Sequence, residues 1–294
     1  MVRGEGEETL RQLLFVLEKD KLPSSVAGIT YRKGDKIIRN PSRKRMDLSN
    51  IPIPAYEFLE EIITSEPKLP TARIYSSRGC PYNCSFCSDA IWNRSIKFRG
   101  NNEFQKELDY LYSNMGTRLF YFGDETMTLS QKRLEQIINI MNNYHDAYWI
   151  FQTRVDQLNP SILKLIASSK NILEVDLGVE SSDDQILQKS RKMIKYDDSR
   201  KAINNLSRLG LNILTYWIFG LPYETTETLK KNQYEILNLA STGEVSLIEL
   251  GCFVPYPGTD IQMHPEQYGV KILSTDWRRY RGELLPVVEL DGLS

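Results

Sequence analysis

Apolar runs alternate with amphipathic segments from residue 72 to residue 253, and this alternation predicts parallel strands joined by helical crossovers. Runs rich in β-branched and aromatic residues predict strands at 72–77, 119–123, 147–151, 173–179, 212–219 and 245–253. Their nearly continuous hydrophobicity is typical of strands that are buried on both faces of a sheet. Between them, apolar residues at helical spacing predict helices at 103–114, 130–144, 160–168, 183–190, 197–209 and 225–240.

Six strand–helix units of this kind predict an α/β fold, a partial (β/α)6 barrel of the TIM type, with its active site at the carboxyl ends of the strands. The third helix has a clear start signal. Asn159 can cap the free amides there, and Pro160 stands where a missing N–H does no harm.

The regions on either side of the predicted barrel have a different pattern. Residues 27–40 hold two β-rich runs around a Lys-Gly-Asp turn and predict a small hairpin. Residues 41–60 hold three prolines and a basic run, so we expect an extended linker whose basic residues, 43–45, are solvated. The predicted organisation is an N-terminal extension at 1–65, the partial barrel at 66–260 and a C-terminal extension at 261–294.

Net charge and the distribution of apolar residues argue against some classes of function. The 294 residues contain 37 Lys and Arg against 38 Asp and Glu, so net charge gives no reason to expect nucleic acid as a bulk partner. Acidic residues near the start and a short apolar run at 13–17 do not fit a signal peptide, and no later run predicts a membrane span. These features predict a cytoplasmic protein without membrane partners.

Three of the four cysteines, Cys80, Cys84 and Cys87, form a C-x3-C-x2-C loop directly after the first predicted barrel strand. This crowding indicates metal binding in a reducing compartment. Three thiolates can hold three irons of a 4Fe-4S cluster and leave the fourth iron open. A zinc site completed by Cys252 is the alternative, but zinc sites favour paired C-x2-C hooks, and Cys252 lies in an apolar strand where we expect a core residue.

This loop resembles that of the radical S-adenosylmethionine superfamily, and further motifs extend the resemblance. It implies that S-adenosylmethionine chelates the open iron and that Phe86 lies near the adenine. Gly123-Asp124-Glu125 resembles the family's Gly-Gly-Glu segment, which binds the methionine amino group, although the middle residue departs from the pattern. A plain acidic helix start is the alternative interpretation of that segment.

The ends of the later strands resemble a subgroup whose members often carry an N-terminal cobalamin domain. The resemblance implies that Arg154 meets the cofactor carboxylate, that Glu180, next to Ser181, contacts the ribose, and that Gly220 permits close approach to the adenosyl group. An ordinary salt bridge or folding turn is the alternative at each position. Residues 216, 217, 256 and 261–285 are candidate pocket walls, and no catalytic residue beyond the cofactor ligands is identified.

Cobalamin itself is a doubtful cofactor for this sequence. The ligand motif Asp-x-His-x-x-Gly is missing, because His145 and His264 stand in other contexts. The N-terminal residues resemble the end of a cobalamin domain, which leaves a truncated cobalamin-dependent methyltransferase or ring-forming enzyme as an alternative function.

The family resemblance implies that a ferredoxin or flavodoxin reduces the cluster. S-adenosylmethionine is then cleaved to a 5′-deoxyadenosyl radical that abstracts hydrogen from an unknown small-molecule or peptide substrate. A methylthiotransferase acting on RNA fits less well, since that class has three further cysteines. A noncatalytic iron–sulfur or zinc scaffold is the remaining alternative.

Overall fold

The computed structural model describes residues 1–60, 62–63, 67–88, 94–281 and 286–293. Its N-terminal region begins with helix α1 (Glu7–Leu17), followed by an antiparallel hairpin of β1 (Thr30–Lys33) and β2 (Lys36–Arg39). The hairpin forms where the two β-rich runs predict it. A short helix, α2 (Glu57–Glu60), ends this region.

The remaining elements follow in alternation, and we give their bounds in chain order. They are β3 (Thr71–Ile74), β4 (Ser77–Arg78), β5 (Lys97–Phe98), α3 (Asn101–Ser113), β6 (Leu119–Phe122), α4 (Gln131–Met141), β7 (Tyr148–Arg154), α5 (Pro160–Ser168), β8 (Ile172–Glu180), α6 (Asp184–Lys189), α7 (Tyr196–Arg208), β9 (Asn212–Phe219), α8 (Thr226–Thr242), β10 (Leu247–Cys252), α9 (Asp260–Met263), β11 (Val270–Ile272) and β12 (Val288–Leu290).

The central sheet has six parallel strands in the order β10-β9-β8-β7-β6-β3 and curls into a partial TIM-like barrel, which confirms the predicted fold class. Parallel neighbours in chain order place every strand's carboxyl end on one rim. The third predicted helix begins at Pro160, and the Asn159 Oδ1 atom accepts hydrogen bonds from the amides of Ser161 and Ile162, both at 3.1 Å.

One face of this sheet forms the main core, because its aromatic and aliphatic side chains pack against the surrounding helices. Phe120, Phe122, Trp149 and Phe151 are fully buried there. The expectation that the strands are apolar on both faces was wrong for the inner face. Alternate residues such as Tyr121, Gln152 and Asp176 face the interior of the partial barrel, where a polar site can form.

Two strand ends differ by three residues from the sequence prediction, and the other strand boundaries differ by two residues or fewer. Strand β3 stops at Ile74, because Ser77 and Arg78 turn away to pair antiparallel with β5. Strand β7 runs on through Arg154, since its polar end residues continue the ladder with β8. In both cases backbone pairing decides where the strand ends, and the pattern of side chains in the sequence does not indicate that pairing.

In the basic run of the linker, Lys44 is exposed as expected, but Arg43 and Arg45 are partly buried and join chain segments. The Arg43 guanidinium donates to Thr9 Oγ1 at 2.8 Å and to Gln12. Arg45 Nη2 donates to the Arg78 carbonyl at 3.0 Å, and Arg45 Nη1 donates to Ser95. Desolvated carbonyls and hydroxyls along the neighbouring segments supply these acceptors.

The C-terminal residues form a second, smaller core against the barrel rim. Strands β11 and β12 pair antiparallel, and Ile261, Tyr268 and Val270 pack with Leu221 and Phe253. The division into segments at 1–65, 66–260 and 261–294 remains a prediction, and the boundary after 65 and residues 282–285 lie outside the described residues. Over the described ranges, every helix is too short or too polar to cross a membrane.

Candidate active site

A cavity of about 410 Å³ opens at the carboxyl ends of the strands, where the fold predicts an active site. All three loop cysteines line it, together with Glu125 after β6 and Arg154 at the end of β7. The fold therefore brings the loop and at least two of the motifs that follow later strands to one place.

Backbone contacts fix the cysteine loop on the rim. Gly79 has φ +104°, and a Cβ there would lie 2.0 Å from the Ser95 carbonyl oxygen, so only glycine fits before Cys80. Further along, Ser85 N and Oγ donate to the Ser190 carbonyl at 2.9 and 3.1 Å. The loop is thus held from both sides, with Cys84 buried between the anchors.

Arg154 is a fixed cation beside the cysteines. Its Nη1 atom lies 3.6 Å from Cys84 Sγ, and its guanidinium stacks over the Tyr82 ring at 3.7 Å. Asp156 accepts from Nε at 2.9 Å and from Nη2 at 3.1 Å, and the Lys192 carbonyl accepts at 2.7 Å. Such contacts hold the guanidinium in one orientation and place positive charge next to a thiolate.

The three residues of the Gly123-Asp124-Glu125 segment have different surroundings. Glu125 lines the cavity, and its Oε2 accepts from the Gly79 amide at 2.8 Å. Asp124 is 1% exposed and points away from the cavity to accept from Ser76 N at 2.9 Å and Ser76 Oγ at 2.8 Å. Burial raises the pKa of Asp124. A Cβ on Gly123 would meet the Tyr75 ring at 2.5 Å, so Gly123 permits tight packing.

Glu180 lines the cavity at the end of β8, where the strand register shifts between Gly178 and Glu180. The residue has φ +67°, an uncommon conformation for a non-glycine residue. Its Oε1 atom accepts from Lys192 Nζ at 2.9 Å, and both side chains are nearly buried. Its neighbour Ser181 is buried and donates to Asn232 Oδ1 at 3.2 Å, so it supports the start of the next helix.

The other candidate positions divide between the cavity and its surroundings. Phe86, Tyr216 and Trp217 line the cavity, whereas Tyr256 is exposed and does not. Gly220 has φ +80° and donates its amide to the Glu224 carboxylate, in a turn beside the cavity.

Glu224 is the buried acceptor of that turn. Burial raises the pKa of the Glu224 carboxyl to about 7.

Sequence reasoning missed four residues that the fold brings to this region. They are Tyr82, Lys192, Glu249 and Asp176, of which the first three line the cavity. An aromatic residue inside the cysteine loop was a usable signal for Tyr82. No sequence signal indicated Lys192 or Glu249. Only the folded barrel brings a lysine that follows a helix and a glutamate on the edge strand to the same cavity.

The donor set fits an iron–sulfur cluster. Cys80, Cys84 and Cys87 lie on one loop outside any disulfide, they line one cavity, and thiolate is the ligand that such clusters use. In the part of the chain that the structure describes, no three His, Cys, Asp or Glu side chains form a ready site for a single metal ion. Cys252 was expected to be a core residue, but it is partly exposed on edge strand β10. It does not line the cavity.

Comparison with known proteins identifies the class. A partial parallel barrel with a cysteine loop at its rim is the arrangement of an enzyme that binds a cofactor at the strand ends. The model of the Radical SAM superfamily matches residues 74–232, and the chain belongs to that superfamily. Its members use a 4Fe-4S cluster and S-adenosylmethionine.

The sequence identity to individual relatives is low. The chain is 29% identical to an uncharacterized methyltransferase from Pyrococcus horikoshii over 99% of its own length and 62% of the relative's. It is 26% identical to the anaerobic magnesium-protoporphyrin IX monomethyl ester cyclase of Rubrivivax gelatinosus, over 100% of this chain and 53% of the relative. The chain thus spans little more than half the length of these curated relatives.

Solved structures agree on the fold. The methyltransferase TsrM from Kitasatospora setae, solved with cobalamin and a 4Fe-4S cluster bound, superposes with a TM-score of 0.72 at 16% identity, over 94% of this chain and 56% of that one. The cobalamin-dependent radical enzyme OxsB gives 0.69 at 22% identity, over 90% of this chain and 39% of that one.

Proposed function

We propose that this chain is a radical S-adenosylmethionine enzyme that holds a 4Fe-4S cluster through Cys80, Cys84 and Cys87. The observation that supports this most directly is the shared cavity. Three cysteine thiols, a fixed guanidinium and three carboxylates line one space at the strand ends. When bound there, the cluster supplies the electron that cleaves S-adenosylmethionine into methionine and a 5′-deoxyadenosyl radical.

The cavity residues have the chemistry to orient the cofactor. Glu125 can accept hydrogen bonds from the methionine ammonium, and Arg154 can pair with its carboxylate. Glu180, whose charge Lys192 balances, can accept from the ribose hydroxyls, and the Phe86 ring can pack on the adenine. Fixing these groups in one cavity orients the sulfonium bond and keeps competing hydrogen donors away from it.

Asp124, Ser181, Gly123 and Gly220 act differently in this proposal. Their side chains or backbones support the strand-end turns that carry the contacting residues. We therefore assign them a positioning role, although the resemblance named them among the cofactor contacts.

The electron donor and the location follow from the same proposal. Family members generally need an external electron donor, and a ferredoxin or flavodoxin is the chemically suitable class. Four cysteines that form no disulfide favour a reducing compartment, which supports a cytoplasmic location.

Methyl transfer with cobalamin is the second candidate function. A second cavity of about 850 Å³, formed by N-terminal residues between Val2 and Leu10 together with Arg73 and Arg78, shares Glu125 and Gln152 with the first cavity. A cofactor placed there would adjoin the S-adenosylmethionine site. The methyltransferase name of the Pyrococcus horikoshii relative supports this candidate.

Anaerobic reconstitution tests both candidates. The chain is loaded with iron and sulfide, reduced with dithionite and given S-adenosylmethionine carrying a deuterated methyl group. Formation of 5′-deoxyadenosine supports the first candidate. S-adenosylhomocysteine formed with added cobalamin, with the label on cobalamin or an acceptor, supports methyl transfer. If a chain that binds four irons formed neither product, that result would contradict the proposed function.

A further inference from the structure

The charges that line the cavity are paired except at one wall. Lys192 pairs with Glu180 at 2.9 Å, and Arg154 pairs with Asp156 at the same distance. Glu249, on β10, also lines the cavity and is exposed to solvent, and within the described ranges its carboxylate accepts no hydrogen bond and forms no ion pair. One carboxylate is therefore left without a counter-charge on the side of the cavity formed by the edge strand.

Strand register places further acidic groups behind this carboxylate. Glu249 is the partner of Tyr216 on β9, and Tyr216 is the partner of Gly178 on β8. Gly178 has no side chain, and Asp176 lies two residues earlier on the same face of β8. The Tyr216 hydroxyl donates to Asp176 Oδ2 at 3.3 Å. Tyr216 thus lies between the two carboxylates and lines the cavity itself.

Asp176 is a buried acceptor with spare capacity. It is 1% exposed, its Oδ2 also accepts from the Tyr121 hydroxyl at 2.9 Å, and its Oδ1 has no hydrogen-bond partner. Burial, with a smaller effect from the neighbouring carboxylate of Glu174, raises the pKa of Asp176 to about 6. Arg73, on the opposite edge strand β3, stacks on the Tyr121 ring at 4.5 Å.

We propose that this wall, formed by Glu249, Tyr216 and Asp176, binds a positively charged nitrogen of the substrate. The inference rests on the proposed function, because it names the substrate class for the same cavity. Glu249 is the direct ion-pair partner of the nitrogen, and the Tyr216 ring and hydroxyl oxygen provide a cation–π face and an acceptor. Asp176 acts through Tyr216 as a positioning residue, since it accepts the phenolic proton.

Charge decides between ligand classes. An anionic group at this wall would meet Glu249, with Asp176 and Glu174 behind it, and a neutral group would leave the acidic wall without a counter-charge. A protonated amine satisfies both the charge and the open acceptor positions. We therefore expect substrates with an ammonium group that reaches the β10 side of the cavity.

Isothermal titration calorimetry tests the proposal with three probes of similar shape: benzylamine, benzyl alcohol and benzoate. The reconstituted whole chain, with S-adenosylmethionine present, is titrated near pH 7.5. Benzylamine should bind at least about threefold more tightly than either other probe, and Glu249→Gln should weaken its binding about 2- to 5-fold, because the ion pair of an exposed carboxylate is screened by solvent. Exposed Glu289, which pairs with Lys271 at 2.9 Å, supplies the matched control Glu289→Gln, and this variant should bind like the wild type.

The positioning role of Asp176 has its own readout. Benzylamine binding by the wild type should strengthen as pH rises through about 6, because Asp176 ionises there. The other titratable or charged groups around it are Arg73, Tyr121, Glu174, Tyr216 and Glu249. Asp176→Asn should flatten this pH profile while Glu249 still favours the cation.

Several outcomes would overturn the inference. These are equal binding of benzyl alcohol or benzoate, the absence of benzylamine binding, or wild-type benzylamine affinity in a folded Glu249→Gln variant. Circular dichroism establishes folding, and the pH profile of Asp176→Asn provides a second measurement if Glu249→Gln does not fold. The binding assay needs no turnover, so failure of S-adenosylmethionine cleavage would contradict the proposed function separately.

Discussion

Each of the three loop cysteines is expected to be indispensable for the cluster. Changing Cys80, Cys84 or Cys87 to Ala should abolish the 4Fe-4S absorption and paramagnetic signals and the cleavage of S-adenosylmethionine, because each thiolate holds one iron. Cys252→Ala is the matched control. Cys252 lies on edge strand β10 and does not line the cavity, so this variant should keep the cluster. Loss of iron from the Cys252 variant would contradict the ligand assignment.

Glu180 tests whether the cavity binds the cofactor ribose. Its carboxylate is nearly buried and paired with Lys192 at 2.9 Å, so Glu180→Gln removes an acceptor and leaves a buried ammonium without its counter-ion. A charge-assisted hydrogen bond contributes about 1.5 to 3 kcal/mol, so S-adenosylmethionine affinity should fall by roughly one to two orders of magnitude.

Titration of the reduced cluster's paramagnetic spectrum with S-adenosylmethionine measures this affinity. The cluster itself should still assemble, since its thiolates lie on a different loop. Glu289→Gln serves as the control for a lost surface carboxylate. Wild-type affinity in Glu180→Gln would remove Glu180 from the site.

Asp176 should make stability depend on pH in a definite direction. Its pKa is raised from 3.8 to about 6 by burial, so between those values the unfolded chain ionises while the folded chain stays protonated. The folded state then binds more protons, and stability falls as pH rises through this window. A shift of this size corresponds to at most about 3 kcal/mol.

Asp176→Asn removes this dependence, because an amide does not ionise. Urea unfolding of both proteins at several pH values from about 4 to 7 measures it. The free energy of unfolding of the wild type should fall relative to that of the variant up to about pH 6. Above that pH the difference between the two should stay constant. A constant difference across the whole range would contradict the prediction.

At the scale of elements, the turn into the cysteine loop depends on one glycine. A Cβ on Gly79 would lie 2.0 Å from a backbone carbonyl, which cannot move cheaply, and φ there is +104°. Gly79→Ala should therefore displace the loop and reduce bound iron at least severalfold. Gly34 also has positive φ, but nothing lies within 4 Å of its Cβ position. Gly34→Ala should keep full iron content, and equal iron content in both variants would contradict this account.

The sequence predicted most of the fold because barrel strands and crossover helices have strong periodic patterns. Strand β9 and helix α5 begin and end at the predicted residues, and Asn159 caps the latter as expected. The errors at β3 and β7 arose because pairing partners are non-local. Ser77 pairs in a separate antiparallel ladder, and Gln152 continues the parallel ladder with β8. The local sequence pattern indicates neither pairing.

The candidate site was predictable where residues follow one strand directly. Glu125, Arg154 and Glu180 line the cavity because strand ends meet at one rim. Side-chain direction was not predictable, and Asp124 is the clearest example, since it turns to the Ser76 amide. Contacts that depend on distant packing, such as Lys192 with Glu180, became visible only in the folded chain.

At the scale of the whole molecule, an ion-pair network joins the N-terminal segment to the cysteine loop. Arg78, two residues before Cys80, pairs with Glu7 at 2.7 Å and approaches Glu5 at 3.8 Å. Arg45 approaches the same Glu5 carboxylate at 3.6 Å. Residues from the chain start and the linker thus converge on the strand end that leads into the loop, and they form one wall of the second cavity.

This network predicts that Arg78 holds the first ten residues against the barrel. In Arg78→Ala, Glu7 loses its ion pair at 2.7 Å, while the buried Glu5 keeps its contact with Arg45 at 3.6 Å and the hydrogen bond from the Met46 amide at 2.8 Å. Local opening should therefore become easier by roughly 1 to 2 kcal/mol. Amide hydrogen exchange in peptides covering residues 2–12 should then rise about 5- to 30-fold, while exchange in β7 and β8 stays unchanged. Arg11→Ala is the control, since Arg11 pairs only with Glu8 on its own helix. Unchanged exchange in Arg78→Ala, or an equal rise in Arg11→Ala, would show that apolar packing alone holds the segment.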